Sequence, residues 1–240
     1  AKFSGINLFL TGRLSSTLYN VNAKITSSPE STLSFLQAFP KKIKFHSAIN
    51  SQLNITFQKP NNIPIKGDVK FENLSAFYQD RMVLNDLSIS LDLLVNMVEE
   101  KIKLNRINLD SNDYFNLNIA GEISRISEHP RLNLTLIDSF INVKETNQHI
   151  STLIPVSNTE GYLRIKNMRL VGSLQNENML DAEVQGLFSF GNIDAIYSKP
   201  NLSLKNFSGT MKVNKLSLKN NFPDKFDVEV KLHLKNLISK

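Results

Sequence analysis

Apolar and polar residues alternate with a period of two over most of this chain, and that pattern excludes most folds before anything else is considered. Clear runs are Leu132-Asn133-Leu134-Thr135-Leu136, Leu87-Ser88-Ile89-Ser90-Leu91-Asp92-Leu93 and Phe115-Asn116-Leu117-Asn118-Ile119. The longest runs from Phe226 to Leu234, and shorter ones cover Val21 to Ile25, Ile102 to Leu104 and Leu202 to Leu204. A pleated strand points successive side chains to opposite sides, so each run has one dry face and one wet face. Central strands of a parallel sheet are apolar on both faces, so one-sided alternation predicts antiparallel pairing through short connections.

The breaks between runs fit this reading. Lys59-Pro60-Asn61-Asn62, Glu128-His129-Pro130, Gln175-Asn176-Glu177-Asn178 and Lys219-Asn220-Asn221-Phe222-Pro223 are polar and carry Asn or Pro, the residues of tight turns. Two segments depart from the alternation. Ser27-Ser28-Pro29-Glu30 resembles a capping box, and Leu33, Leu36 and Phe39 then recur at helical spacing up to Pro40. Glu145 to Ile154 behaves similarly before Pro155, with Ile150, Leu153 and Ile154 on one side. Each predicts a short helix ending at a proline. The 240 residues suffice for a sizeable core, and 41% hydrophobic with 21% charged residues describes a chain that folds. No apolar run reaches the 18 or so residues of a membrane-spanning helix, and the start at Ala1-Lys2-Phe3, without Met, reads as a piece of something longer.

The strands recur in order. Gly67 to Tyr78 lines up with Gly186 to Tyr197, matching Gly, Phe, Asn, Ala and Tyr, and Asn7 to Ser15 lines up with Asn116 to Ser124, matching Gly12 with Gly121. The helix-ending Pro40 and Pro155 also correspond. Two alternating segments can match by accident, but a shared order of elements predicts a duplication. The expected organisation is one elongated β domain of two degenerate repeats, approximately 1–110 and 111–240.

Leu117-Asn118-Ile119-Ala120-Gly121-Glu122-Ile123, a following strand such as Leu132 to Leu136, a short helix closing in Leu153-Ile154-Pro155, and then Glu160-Gly161-Tyr162-Leu163-Arg164-Ile165 together resemble the AsmA family. So does Gly67-Asp68-Val69-Lys70-Phe71-Glu72-Asn73-Leu74 followed by Leu84-Asn85-Asp86-Leu87-Ser88-Ile89-Ser90-Leu91. The resemblance spans most of the chain through soft patterns and brings no catalytic motif. It implies an envelope protein of a double-membraned bacterium, held in the inner membrane by an N-terminal helix and extending into the periplasm. It also implies a part in outer-membrane biogenesis and phospholipid movement, through an elongated curved sheet with a hydrophobic groove akin to bridge-like lipid transfer proteins.

The fold expected is therefore mainly β: an extended curved antiparallel sheet, open as a half-barrel or groove, with two short α-helices. A closed β-sandwich is the alternative. A sheet that is apolar on one face must cover it with a second sheet, with helices or with a ligand. In a trough, acyl chains of phospholipid or another lipid could lie along the apolar rows, each buried methylene gaining about 0.8 kcal/mol. Groove candidates are Phe45, Phe57, Phe71, Leu91, Phe115, Leu117, Leu134, Phe190, Leu204, Val213 and Leu232. In a closed module the same residues form a core, and the outer face meets protein partners.

Residues 199–240 hold 9 Lys against 3 acidic residues, a net +6 that equals the charge of the whole chain. A basic end could meet anionic headgroups at a membrane surface, or could be the wet side of strands, where lysines also block edge pairing. No nucleic-acid-binding motif accompanies the charge. Five Asn-x-Ser/Thr triplets, at Asn54, Asn73, Asn133, Asn201 and Asn206, follow from the abundance of Asn and Ser on the polar phase.

Nothing points to catalysis. The absence of Cys removes thiolate chemistry and disulfides, and with 9 Gly and no Trp the chain suits neither a Gly-rich phosphate cradle nor an immunoglobulin core. His46, His129, His149 and His233 are scattered, without metal-ligand spacing. Glu99-Glu100 and the pair Asp110 and Asp113 sit where turns explain them. No cofactor or metal is expected.

Overall fold

The computed structural model describes residues 6–14, 18–27, 43–58, 61–78, 81–84, 86–112, 114–144, 156–175, 179–197, 202–233 and 236–239. They form fourteen strands: β1 (Ile6–Leu14), β2 (Leu18–Ser27), β3 (Ile43–Gln58), β4 (Asn62–Tyr78), β5 (Arg81–Leu84), β6 (Leu87–Asn96) and β7 (Lys101–Ser111). Then come β8 (Phe115–Ser124), β9 (Arg131–Asn142), β10 (Val156–Leu174), β11 (Leu180–Tyr197), β12 (Leu202–Lys219), β13 (Phe222–His233) and β14 (Asn236–Ser239). The two expected helices, Ser28–Phe39 and Glu145–Ile154, lie outside the described residues.

The strands form one open antiparallel sheet in the order β1-β2-β3-β4-β6-β7-β8-β9-β10-β11-β12-β13. This is a meander: each strand pairs with its neighbours in sequence, as the one-sided alternation requires. β5 lies end to end with β6 along one edge of β4, and β14 lies end to end with β13 along β12. Sizeable contacts between strands run only between these hydrogen-bonded neighbours. Among the described residues no second layer forms, so the closed sandwich is not the fold adopted.

The strands are long, from 16 to 19 residues in β3, β4, β10, β11 and β12, against the usual 3–10 or so. Bulges keep them straddling a twisted sheet at this length, because an extra residue re-sets the twist without ending the pairing. Register shifts fall between Leu104 and Ile107 in β7, between Ile165 and Asn167 in β10, and between Val213 and Lys215 in β12. Asp138 in β9, Asn192 in β11 and Asn206 in β12 adopt left-handed φ values of 42°, 54° and 49°. Asn and Asp are the non-glycine residues that tolerate this region best. The β12–β13 connection is tighter than the five-residue break expected from sequence. Asn220 and Asn221 alone turn the chain, with φ 51° and 70°, the two positive values of a type I′ hairpin.

Ser139 shows how a bulge is sealed. It is fully buried; its Oγ donates to the Ile137 carbonyl at 3.3 Å and accepts from the Asn118 amide at 2.9 Å. The hydroxyl thus supplies the ladder bonds that the extra residue at Asp138 displaces. Ser139→Ala should cost about 1–2 kcal/mol through the orphaned Asn118 amide. Urea denaturation should show this loss, with amide exchange accelerated first at Asn118.

Candidate functional site

The pairing registers assign every strand residue to one of two faces. On one face a single row of directly opposed residues crosses the whole sheet: Gly12, Val21, Ile55, Ile65, Leu93, Leu104, Gly121, Leu134, Leu170, Val184, Leu216 and Phe226. The next row is Leu10, Ala23, Leu53, Gly67, Leu91, Ile107, Ile119, Leu136, Met168, Gly186, Val213 and Val228. Neither row contains a polar side chain. Twelve strands about 4.8 Å apart carry these rows over about 50 Å.

Two further rows are mostly apolar; among their described side chains the polar ones are serines at 51, 111 and 139. All three are buried, and each hydroxyl has a protein partner: Ile25 O for Ser51, Asp86 Oδ1 for Ser111 and Ile137 O for Ser139. The hydroxyls of Ser51 and Ser139 are taken up by backbone carbonyls of the sheet, and that of Ser111 by the Asp86 carboxylate just before β6, so each is satisfied within the protein.

All eleven candidates named from the sequence fall in phase with this face. Leu134 is in the first row, Leu91 and Val213 in the second, and Leu117 pairs with Leu109 in the third. Phe71, Phe115, Phe190 and Leu232 share the fourth, toward one end of the strands. At positions 45, 57 and 204 only the backbone is described, and its register has the same phase. The candidates therefore share a face without gathering into a pocket. Their accessibility differs: Phe71, Leu91, Phe115, Leu117, Leu134 and Phe190 are half-buried, Val213 is buried and Leu232 is 54% exposed.

Half-burial is what an unroofed sheet gives. Each side chain is flanked in the plane by neighbours on both sides, and nothing described sits above it. Leu104, Ile165, Val184 and Val213 are more enclosed, at 4–7% exposure. The sequence reading missed Leu53, Ile65, Leu104, Ile107, Leu136, Met168 and Leu216, all members of the two continuous rows. For Leu104, Ile107 and Leu216 the overlooked signal was apolar residues spaced by three around Asn, as in Leu104-Asn105-Arg106-Ile107 and Val213-Asn214-Lys215-Leu216. Each marks a bulge that restores the phase.

The opposite face is a polar ladder. Ser90 Oγ donates to Asp68 Oδ1 at 2.6 Å, Asn108 Nδ2 donates to Asn116 and Asn118 at 3.0 and 3.1 Å, and Arg106 Nη2 donates to Asn118 at 3.1 Å. Lys66 pairs with Asp92 at 2.8 Å, and Lys215 with Glu183 at 2.6 Å. Lys212 lies 3.9 Å from Glu229, so lysines of the basic C-terminal part stand on the polar face, partly ion-paired. The Glu99-Glu100 pair is in the β6–β7 turn, where Asn96 Oδ1 accepts from the amides of Val98 and Glu99 at 3.1 and 3.0 Å. Among the described residues no three His, Cys, Asp or Glu side chains group as metal ligands, and no helix is long and apolar enough to cross a membrane.

Hydrogen bonds from Asn105 and then Lys66 hold the Asp92 carboxyl below its ordinary value of 3.8. A depressed carboxylate stabilises the fold above its unfolded-state pKa, and that contribution is lost as pH falls through the folded value. Asp92→Asn should therefore cost little at neutral pH, since the pair is largely exposed, and should flatten the fall in stability below about pH 4. Urea titrations of both proteins across that range check this.

Comparison with family models, with curated proteins and with solved structures gives no match.

Proposed function

We propose that this chain is a non-enzymatic, AsmA-like segment of a bacterial envelope protein that holds or conducts phospholipid acyl chains along the apolar face of its sheet. In this reading it works in the periplasm, tethered to the inner membrane by an N-terminal helix, in outer-membrane biogenesis or maintenance. The carrying observation is the pair of uninterrupted apolar rows that cross all twelve sheet positions with no second layer over them among the described residues. Exposed apolar patches on monomers rarely exceed a few hundred Å² without a partner to cover them. A flexible hydrocarbon chain suits this face because the contacts are non-directional and nearly equal from strand to strand. It can therefore shift along a row without breaking a specific bond. The polar face, crosslinked by its Asn, Ser and ion-pair ladder, stays in water and carries the lysines that could touch anionic headgroups. A module with a closed core that binds protein partners would need a layer over these rows, which the described strands do not supply.

The test is native mass spectrometry of the protein purified gently from bacterial cells, followed by organic extraction of whatever is released. Phospholipid masses on the folded protein are expected. A clean apo mass, with no uptake from added phospholipid vesicles, would overturn the lipid reading and leave a structural β module.

A further inference from the structure

The polar face carries, at the middle of the sheet, a feature that solvation alone does not explain, and it does not depend on what occupies the apolar face. The row of directly opposed residues from Asn7 of β1 to Lys231 of β13 is polar at every position but one, where Phe140 of β9 stands between Asn116 and Arg164. Phe140 is 38% exposed, and Tyr162, on the same face of β10, is 37% exposed. Their ring centroids are 6.2 Å apart and their planes differ by 26°. The Tyr162 ring is laid across Gly191 of β11, in the space a Cβ there would need, so its other side is turned to solvent. A lone exposed apolar residue is ordinary, but two nearly parallel rings set into a polar row form a platform.

Beside the rings, two bulges each turn an extra residue to this face, pairing Asn105 with Arg106 in β7 and Ile137 with Asp138 in β9. The small Ala120 of β8 lies between them, and the surface there dips into a shallow depression of about 320 Å³ lined by Arg106, Asn118, Ala120, Ile137 and Asp138. Arg106 Nη2 donates to Asn118 Oδ1 at 3.1 Å, and Asn118 Nδ2 donates to Asn116 Oδ1 at 3.0 Å. Each carboxamide offers donor and acceptor side by side in one plane. The charges are also arranged. Asp138 lies opposite Lys166, and Asp110 accepts from Asn116 at 2.6 Å. Arg106 and Arg164, one on each flank of the rings, are exposed and enter none of the ion pairs among the described residues.

We propose that this patch binds an extended acidic polysaccharide, a chain of pyranose rings that carries carboxylates. A pyranose shows an apolar C–H face and a rim of hydroxyls. The C–H faces of successive sugars lie on Phe140 and Tyr162, where burial of apolar surface and the ring quadrupole both favour contact. Rim hydroxyls, each donor and acceptor, exchange hydrogen bonds with the carboxamides of Asn116 and Asn118. The sugar carboxylates meet Arg106 and Arg164, whose planar forks match a carboxylate with two parallel bonds. Among the described residues nothing closes over the rings, so the site takes the interior of a chain rather than its end. Single-stranded nucleic acid also stacks on aromatic rings, but its phosphates need a continuous basic groove. Here Arg164 is followed along the row by Ser189 and Thr210, and on the other side of Phe140 come Asn116, Asp110 and Ser88. Isolated guanidiniums among neutral groups suit the sparser charge of an acidic glycan.

Calorimetric titration of the intact chain with hexasaccharides of galacturonate and of hyaluronan tests this, with neutral chitohexaose and a single-stranded DNA decamer as comparators. At least one acidic hexasaccharide should bind about fivefold or more tighter than chitohexaose, and should weaken as salt is raised. Phe140→Leu and Tyr162→Leu keep apolar bulk but remove a ring, and each should lower that affinity about tenfold, whereas Phe140→Tyr should retain it. Arg164→Gln should erase the preference for the acidic chain and leave binding of chitohexaose as it was. Circular dichroism establishes that each variant is folded, and if Tyr162→Leu is not, Phe140→Leu and Arg164→Gln still decide the matter. The proposal is overturned if neither acidic hexasaccharide binds, or if binding survives loss of the Phe140 ring. Tighter binding of the DNA than of either saccharide also overturns it and makes the patch a nucleic-acid site. Each of these results leaves the acyl-chain reading standing, because that reading is tested with lipid on the opposite face.

Discussion

Gly121→Ala should be among the most damaging single-methyl additions this chain can receive, costing about 3 kcal/mol. Gly121 has φ +140°, which L side chains rarely adopt, and a Cβ built there would lie 2.1 Å from the Asn133 carbonyl oxygen and 2.9 Å from the Leu134 Cα. Both obstacles are backbone atoms of β9, held by the ladder, so relief requires opening the β8–β9 pairing. Gly67 is the same case in the other half: φ +153°, with the Gln52 carbonyl oxygen at 2.1 Å and the Leu53 Cα at 2.8 Å. Gly67→Ala should lose a similar amount. Gly191→Ala is the control, because there the obstruction is the ring of Tyr162, which is 37% exposed and can swing aside. Urea midpoints for the three proteins measure the contrast. If Gly121→Ala and Gly191→Ala shift the midpoint equally, the close approach of β8 and β9 is wrong.

Alternation identified the strands and their phase because solvent sorts side chains by face, and that is a local property. Hence Leu134, Phe115 and Leu91, chosen from three separate runs, all lie on one side of one sheet. The meander followed too, since one-sided strands joined by short polar breaks have few other ways to pair. Strand length did not follow. Ile102-Lys103-Leu104 reads as a short strand because the alternation fails at Asn105 and Arg106, yet β7 continues to Ser111 through a bulge that resets the phase at Ile107. A bulge costs the pattern one residue and leaves the ladder intact, so a strict period of two sees an ending where the structure has a correction. The open sheet was expected through the family resemblance, and the alternation by itself did not show it. Whether a row of leucines is roofed depends on what lies about 10 Å above it, and the alternation is identical in both cases.

That ambiguity is settled functionally by Leu134→Asp, with Leu187→Asp beside it. Leu134 lies in the first continuous row, between Gly121 and Leu170, and is half-buried. On an unroofed face its carboxylate replacement reaches water, so the circular dichroism should be retained with a loss of about 1–2 kcal/mol in stability. Acyl binding should fare worse, because a chain laid over the row would have to desolvate an unpaired charge, and affinity for a fluorescent fatty acid should fall about tenfold or more. Leu187 is also half-buried but belongs to the polar face, opposite Asn167 and Lys212. An aspartate there lies near a lysine and far from the rows, so binding should be unchanged. Loss at position 134 alone assigns the ligand to the apolar face. Equal losses at both positions would mean that binding tracks general stability. Unfolding of Leu134→Asp while Leu187→Asp stays folded would mean the rows are sealed in the native protein, and the lipid reading would give way to a structural one.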